Sequence, residues 1–292
     1  MDKKKIIITG AGGGFGLLIT RALIEAGHTV IGTMRDISGR NKAHAEALKG
    51  LGASVIEMDV TNDASVEKAI AAAIKEAGSV DVLINNAGVG VLGVQETFTG
   101  GDLQKLFDIN VFGVHRVTRT LMPHLRAKKS GLVINISSLL GRIAVPFYGP
   151  YNASKWALEG LTENYRIESS QSGVDVCIVE PGGYPTSFID NLMRPSDQER
   201  ISALKEMSEA AEGFLKGFEQ ALAGNPAQDP KNVATAIVNL VQTTPGTRPF
   251  RTIVDNMGMG APIEGYNKLL GDITAGIYGN FGIAHLLQLK TS

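Results

Sequence analysis

Lys5-Ile6-Ile7-Ile8-Thr9-Gly10-Ala11-Gly12-Gly13-Gly14-Phe15-Gly16 is the stretch whose reading decides the fold. The β-branched run over residues 5–9 reads as a short strand buried on both faces. A glycine turn follows, and residues 17–26 continue at helical spacing. At a strand–turn–helix junction, small residues let backbone N–H groups approach a phosphate, and the helix N-terminus adds favourable partial charge. No Gly-Lys-Ser/Thr ending follows the glycines, which argues against a Walker-type ATPase. The expected ligand is the pyrophosphate of a nucleotide.

Working outward, strand-like runs recur at residues 28–33, 53–58, 80–84, 131–136 and 174–179, with a possible seventh strand at 249–255. Helical patterns separate them at 41–49, 64–77, 102–125, 151–170 and 229–243, with Asn62 or Asp63 as a candidate cap. This alternation predicts an α/β fold, a Rossmann-like doubly wound parallel sheet of about seven strands with helices on both faces. Ligands on such sheets bind at the carboxyl ends of the strands. Gly10, Asp59, Asn86, Ser138 and Pro181 all fall just past predicted strand ends, so the candidate site lies along one rim.

Residues 187–225 are polar and methionine-containing and predict a helical insertion over the site. In the tail, residues 258–292, Leu269, Leu270, Ile273 and Ile277 predict a surface helix packed on the core. One domain over residues 1–292, with these two elaborations, is expected.

The formal net charge of −1 and pI near 6.5 give no electrostatic argument for nucleic acid or an anionic membrane. Cys177 is the single cysteine, so no intrachain disulfide can form. The first strand begins too early to leave room for a signal peptide, and no apolar run reaches the ~18 residues of a spanning helix. A cytoplasmic protein is expected. The five histidines and one cysteine form no ligand cluster, so no metal is expected.

Tyr151 and Lys155 stand four apart in a helical stretch and therefore on one face. An ammonium beside a phenol favours the ionised form, which predicts a Tyr151 pKa below the usual value of about 10. Tyr151 is then a candidate proton donor or acceptor.

With Thr9-Gly10-x-x-x-Gly14-x-Gly16, Asn85-Asn86-Ala87-Gly88, Asn110, Ser138, Tyr151-x-x-x-Lys155 and Pro181-Gly182-x-x-x-Thr186 in one order, the sequence resembles the short-chain dehydrogenase/reductase family. The resemblance implies an oxidoreductase that interconverts a carbonyl and an alcohol with a nicotinamide cofactor. It implies Tyr151 as general acid in reduction and base in oxidation, with Lys155 lowering its pKa and bonding the nicotinamide ribose. Ser138 would donate to the substrate oxygen, and Asn110 would shape the active-site helix and hold a water reaching Lys155. Gly10, Gly14, Phe15 and Gly16 would surround the pyrophosphate, and Asp59 and Val60 the adenine. Asn86, Ala87 and Gly88 would lie along the adenosine ribose and its strand. Pro181, Gly182 and Thr186 would complete the cofactor site, Thr186 near the nicotinamide amide. The family also implies a homodimer or homotetramer, through the helices at residues 102–125 and 151–170.

Met34 occupies the place where NAD-preferring relatives usually carry an acid, and Arg35 follows it. A guanidinium there can pair with a 2′-phosphate, so NADP(H) is expected; Asp36, one position later, would reverse this if the strand boundary moved. Leu139, Leu140, Val145, Phe147 and Tyr148 suggest an apolar approach, with Tyr184, Phe188, Leu192 and Met193 as lid residues. The expected substrate is a hydrophobic or alicyclic ketone, aldehyde or alcohol, with Arg142 as the one residue that would instead greet an acid. Two other classes stay open: an idle nucleotide-binding regulator, and a lyase or epimerase with a retained nicotinamide.

Overall fold

Seven strands form one all-parallel sheet in a computed structural model that describes residues 2–291. They are β1 (Lys5–Thr9), β2 (Thr29–Met34), β3 (Ser54–Glu57), β4 (Val82–Asn85), β5 (Gly131–Ile136), β6 (Val174–Pro181) and β7 (Arg251–Val254). Their order is β3-β2-β1-β4-β5-β6-β7, with Ile7 opposite Ile31 and Leu83, and Ile134 opposite Ile84 and Cys177. The chain therefore winds outward from β1 to β3, returns to β4, and winds outward again to β7. The reversal opens a crevice at the carboxyl ends of β1 and β4.

Alternation along the strands divides the core. Ile6 and Ile8 face one layer, where α1 (Gly14–Glu25), α2 (Lys42–Gly50) and α9 (Lys231–Gln242) contribute Ile19, Leu23, Leu48 and Ile237. Ile7 faces the other, against α3 (Asp63–Ala77) and α5 (Val114–Lys128), which contribute Val66, Ile70, Val117 and Leu121. Burial on both faces explains why β1 reads as a continuous apolar run. Truncating Ile7 to alanine would cost about 2–5 kcal/mol.

Three expectations needed correction. The long helix expected at residues 102–125 is α4 (Gly100–Phe107) and α5 joined by a π-helical turn, Asp108–Gly113. There the Asn110 side chain bonds the Val89 backbone at both ends, Nδ2 donating to its carbonyl and Oδ1 accepting from its N–H, each at 2.9 Å. β2 runs to Met34, one residue further than expected, so Arg35 is the first residue past the strand.

The tail forms α10 (Gly260–Asn280), but its apolar stripe does not pack on the core. Leu269 is 59% and Ile273 50% exposed; the helix instead anchors through Ile263, Asn267 and its first turn. Among the described residues no helix is long and apolar enough to cross a membrane.

Candidate active site

The glycine loop closes on itself. Gly10 takes a left-handed φ of 64°, and a Cβ there would stand 2.9 Å from Ala87 Cα. A Cβ on Gly16 would stand 2.2 Å from the Gly10 carbonyl oxygen. Only glycine fits these two places. Asn86 braces the loop from β4, its Nδ2 donating to the Thr9 and Gly10 carbonyls at 3.0 Å each. The Asn86 and Ala87 N–H groups both donate to Thr9 Oγ1. Helix α1 starts at Gly14 with Gly13 as an N-cap that supplies no side-chain acceptor, so its first amides remain available to an anion.

A Cβ on Gly14 would meet Thr186 and Ser187 at 3.8 Å, which brings the residues after β6 over the loop. Pro181 ends β6, and the Gly182 N–H donates to the Val254 carbonyl at 2.9 Å. Phe15 turns its ring onto Tyr184, edge to face at 5.5 Å between ring centres. Tyr184 is thus a core residue, 4% exposed and bonded to the Val254 carbonyl, and not part of a lid.

At the adenosine end, Asp59 accepts from Thr61 N–H and Oγ1 at 2.9 and 2.7 Å. Burial opposes its ionisation, but the Thr61 bonds and Arg35 and Arg116 hold its pKa below the ordinary value. Val60 packs against Gly113, where a Cβ would lie 2.9 Å from Val60 Cγ2. Asp36 adopts a left-handed φ of 49° and its carboxylate accepts from the Arg40 N–H at 2.9 Å, while Arg35 is exposed. The acid is spent on its own turn and the guanidinium projects from the rim.

The four expected catalytic residues come together. Helix α6 (Gly149–Ser170) carries Tyr151, Ser154 and Lys155 on its buried side. Ser154 Oγ accepts from Asn110 Nδ2 at 3.1 Å, joining α6 to the π turn. Lys155 Nζ donates to the Ile136 carbonyl at 2.9 Å, two residues before Ser138. Ser138 Oγ accepts from the Leu140 N–H at 3.1 Å. A Cβ on Gly88 would lie 3.4 Å from Asn110 Oδ1 and 3.9 Å from Lys155 Nζ, so Gly88 lines the same spot.

The electrostatics correct one expectation. The Tyr151 pKa is raised above the ordinary phenol value, because burial outweighs the hydrogen bond from Ser138. Phe188 stands edge to face on the ring at 5.7 Å, and Lys155 Nζ is 5.5 Å from the ring centre with a bond directed at Ile136. Lys155 itself is lowered to about 8 by burial, against a raising contribution from Glu159. Desolvation, absent from a reading of helical spacing, decides both signs.

An apolar cluster roofs Tyr151. It contains Val91, Leu92, Tyr148 and Leu215, with Leu140, Val145, Phe147, Leu192 and Met193 against them. Met193 pairs in parallel with Val91 as an isolated bridge, within the segment before α7 (Gln198–Ala203) and α8 (Lys205–Ala223). Leu139, expected in the approach, is instead 1% exposed. Arg142 is also buried, facing Asn267, Glu159 and Glu180.

Sequence reading missed a polar ladder beneath the rim. Asn85 Nδ2 donates to Thr118 Oγ1 and Asn135 Oδ1, and Asn135 Nδ2 donates to Thr162 Oγ1 at 2.9 Å. A lone asparagine inside the apolar run of β5 was its available signal.

A short chain dehydrogenase family model matches residues 4–196. The chain is 35% identical over 258 residues to a 3-ketodihydrosphingosine reductase of Bacteroides thetaiotaomicron, covering 87% of this chain and 88% of that one. A short-chain dehydrogenase from Streptomyces avermitilis superimposes with a TM-score of 0.73 at 30% identity, over 96% of this chain and 98% of that one. A 3-ketoacyl-(acyl-carrier-protein) reductase from Brucella melitensis, complexed with NADH, gives 0.72 at 26% identity over 88% and 98%. The protein belongs to the short-chain dehydrogenase/reductase family. It is an oxidoreductase of CH–OH groups that uses a nicotinamide cofactor. The closed glycine cradle and uncapped α1 N-terminus fit the pyrophosphate of that cofactor.

Proposed function

We propose that the protein is an NADP(H)-dependent oxidoreductase that interconverts a hydrophobic ketone or aldehyde and its alcohol, with Tyr151 as general acid and base. The observation that carries this reading is Tyr151 buried beside Ser138 and Lys155 under an apolar roof. A carbonyl placed there would meet a hydroxyl donor at the developing alkoxide and a proton source within one helical turn. The nicotinamide, when bound, supplies or takes the hydride. Tyr151 gives the carbonyl oxygen its proton, and Ser138 donates a hydrogen bond to the same oxygen. Lys155, lowered to about 8 by burial, donates to the Ile136 carbonyl and is assigned to the nicotinamide ribose. Asn110 acts by fixing the π turn, and its proposed water link to Lys155 runs past Gly88.

Gly10, Gly14, Gly16 and the Phe15 backbone are proposed to hold the pyrophosphate, Asp59 and Val60 the adenine end, and Asn86, Ala87 and Gly88 the adenosine ribose strand. Pro181, Gly182 and Thr186 are assigned to the nicotinamide side. The choice of NADP(H) is supported by Arg35 directly following β2 while Asp36 turns away. The hydrophobic substrate class is supported by the apolar roof and by the sphingoid ketone in the name of one relative. Self-association through the 102–125 segment and α6 is the proposed assembly, consistent with Phe112 of the π turn and Trp156 of α6 being exposed.

An NADPH and NADH consumption screen on hydrophobic, alicyclic and charged ketones tests the whole reading. Turnover of apolar ketones is expected, with Tyr151→Phe losing about 10²–10⁴-fold in kcat while still binding cofactor. Turnover only of small charged keto acids would overturn the substrate class. Equal efficiency with NADH, unaltered in Arg35→Ala, would overturn the cofactor choice. Tight NADP(H) binding without any turnover would point to a regulatory role.

A further inference from the structure

Behind Ser138 lies a buried charge cluster that the proposed chemistry does not use. Arg142 follows Ser138 through the single 3-10 turn Leu139–Gly141. Its Nε donates to Asn267 Oδ1 at 2.8 Å, and its guanidinium carbon stands 4.8 Å from the centre of the Tyr266 ring. The carboxylates of Glu159 and Glu180 each stand 3.8 Å from it. Glu180, fully buried near the end of β6, accepts from Asn267 Nδ2 at 2.6 Å and faces Arg251 Nε at 3.3 Å. Arg251 also donates to Glu159 Oε2 at 3.0 Å and to Glu163. Burial pushes the Glu180 carboxyl up to about 7, Glu159 adding to the rise and Arg251, Asn267 and Arg142 opposing it.

The cluster is incompletely satisfied. Arg142 Nη2, Glu159 Oε1, Glu180 Oε1 and Ser137 Oγ are buried without a hydrogen-bond partner. Much therefore depends on the one neutral group that bonds an arginine and a glutamate at once. An amide can accept from Arg142 while donating to Glu180; a carboxylate would repel Glu180, and an aliphatic side chain would leave both charges short. That amide comes from α10, beyond the residues 4–196 that define the family match. On the opposite side the turn is wedged. A Cβ on Gly141 would lie 3.0 Å from both Ser137 Oγ and Glu159 Cγ, with Glu159 one helical turn past Lys155.

We propose that Asn267 is a positioning residue: through Arg142 it holds the turn after Ser138 in the place that Tyr151 requires, so the C-terminal helix completes the active site from behind. The role in turnover rests on the oxidoreductase reading of Ser138 and Tyr151, whereas the tether itself does not.

The test compares wild type, Asn267→Ala, Asn267→Asp and the swap Asn267→Asp/Glu180→Gln in the full chain. The swap again sets an amide opposite a carboxylate, with Arg142 still facing an acceptor on α10 and the negative charge moved there from β6. Hydrogen exchange over residues 138–146 is followed beside kcat and KM for NADPH, using the ketone found in the screen. Both single variants should raise exchange in that segment about tenfold, with α6 and β5 peptides unchanged. They should lower kcat about tenfold while KM for NADPH stays within about twofold, and the swap should bring both quantities back within about threefold of wild type. Unchanged exchange at 138–146, a loss confined to KM, or a swap no better than Asn267→Asp would each overturn the proposal. If Asn267→Ala unfolds, the comparison of Asn267→Asp with the swap still decides. If no ketone is turned over, the proposed chemistry of Ser138 and Tyr151 fails on its own and exchange alone decides the tether.

Discussion

Two buried carboxylates fasten outlying segments to the sheet rim, and they are built in opposite ways. Asp102, on α4, accepts from Thr99 N–H and Oγ1 at 2.9 Å each, and from Ser196 N–H and Oγ at 3.1 and 2.7 Å. It caps its own helix and pins the segment that carries Met193. Although burial opposes ionisation, those bonds hold its pKa down to about 2. Glu180 is more deeply enclosed, shares its arginines with Glu159 and receives one short hydrogen bond, from Asn267. Its carboxyl is pushed up by desolvation and by Glu159, which its donors do not offset. Depth of burial and the number of donors aimed at the carboxylate together decide whether it stays ionised.

The contrast breaks most visibly at Asp102. Asp102→Ala leaves Thr99 and Ser196 without their acceptor and should cost roughly 3 kcal/mol in urea unfolding. A loss below about 1 kcal/mol would mean the segment is held by its apolar contacts alone. The pH sign is fixed as well. A folded pKa below the unfolded one gives stability that is full above about pH 4 and lost as pH falls toward about 2. Asp102→Ala should therefore flatten the acid limb of stability.

Glu180 should behave in the reverse sense. Its folded pKa lies above the unfolded value, so its contribution is full below about pH 4.5 and lost as pH rises through about 7. Wild-type Tm is expected to fall by about 2–6 °C between pH 5 and 8, a fall that Glu180→Gln removes. An identical slope in the two proteins would contradict the contrast.

The smallest effect sharpens the division within α10. Asn267 faces the cluster, whereas Leu269 and Ile273 face outward. Leu269→Gln should change unfolding free energy by no more than about 0.5 kcal/mol, far less than a substitution at Asn267. A larger loss would show that the outer stripe is covered in solution.

The parts legible in the sequence were those written locally. The β1 run, the glycine turn, the bounds of β5 and the Tyr151–Lys155 spacing each follow from neighbours along the chain. Motifs just past strand ends placed the rim correctly because a parallel sheet puts those ends together. What failed depended on distant partners. Asp102 entered only as the first residue of the helix expected at 102–125, and its partner Ser196 stands 94 residues on. Arg142 looked available to an acidic substrate, but α10 supplies Asn267, 125 positions away. Tyr184 resembled a lid residue beside Phe188, yet its ring meets Phe15 across the glycine loop. The sign at Tyr151 was misjudged for the same reason, since the Phe188 segment that dries the phenol belongs to another part of the chain.

Cys177 lies in the middle of β6, fully enclosed, with burial pushing its thiol up to about 12. A thiolate is the reactive form, so this position should ignore maleimides and mild oxidants while the fold is intact. The native chain is thereby a ready-made background for site-specific labelling. A single introduced thiol, Phe188→Cys over Tyr151 or Ile277→Cys on α10, would take a fluorophore without Cys177 being removed first. Movement of the roof and of the C-terminal helix becomes observable in solution, one dye at a time.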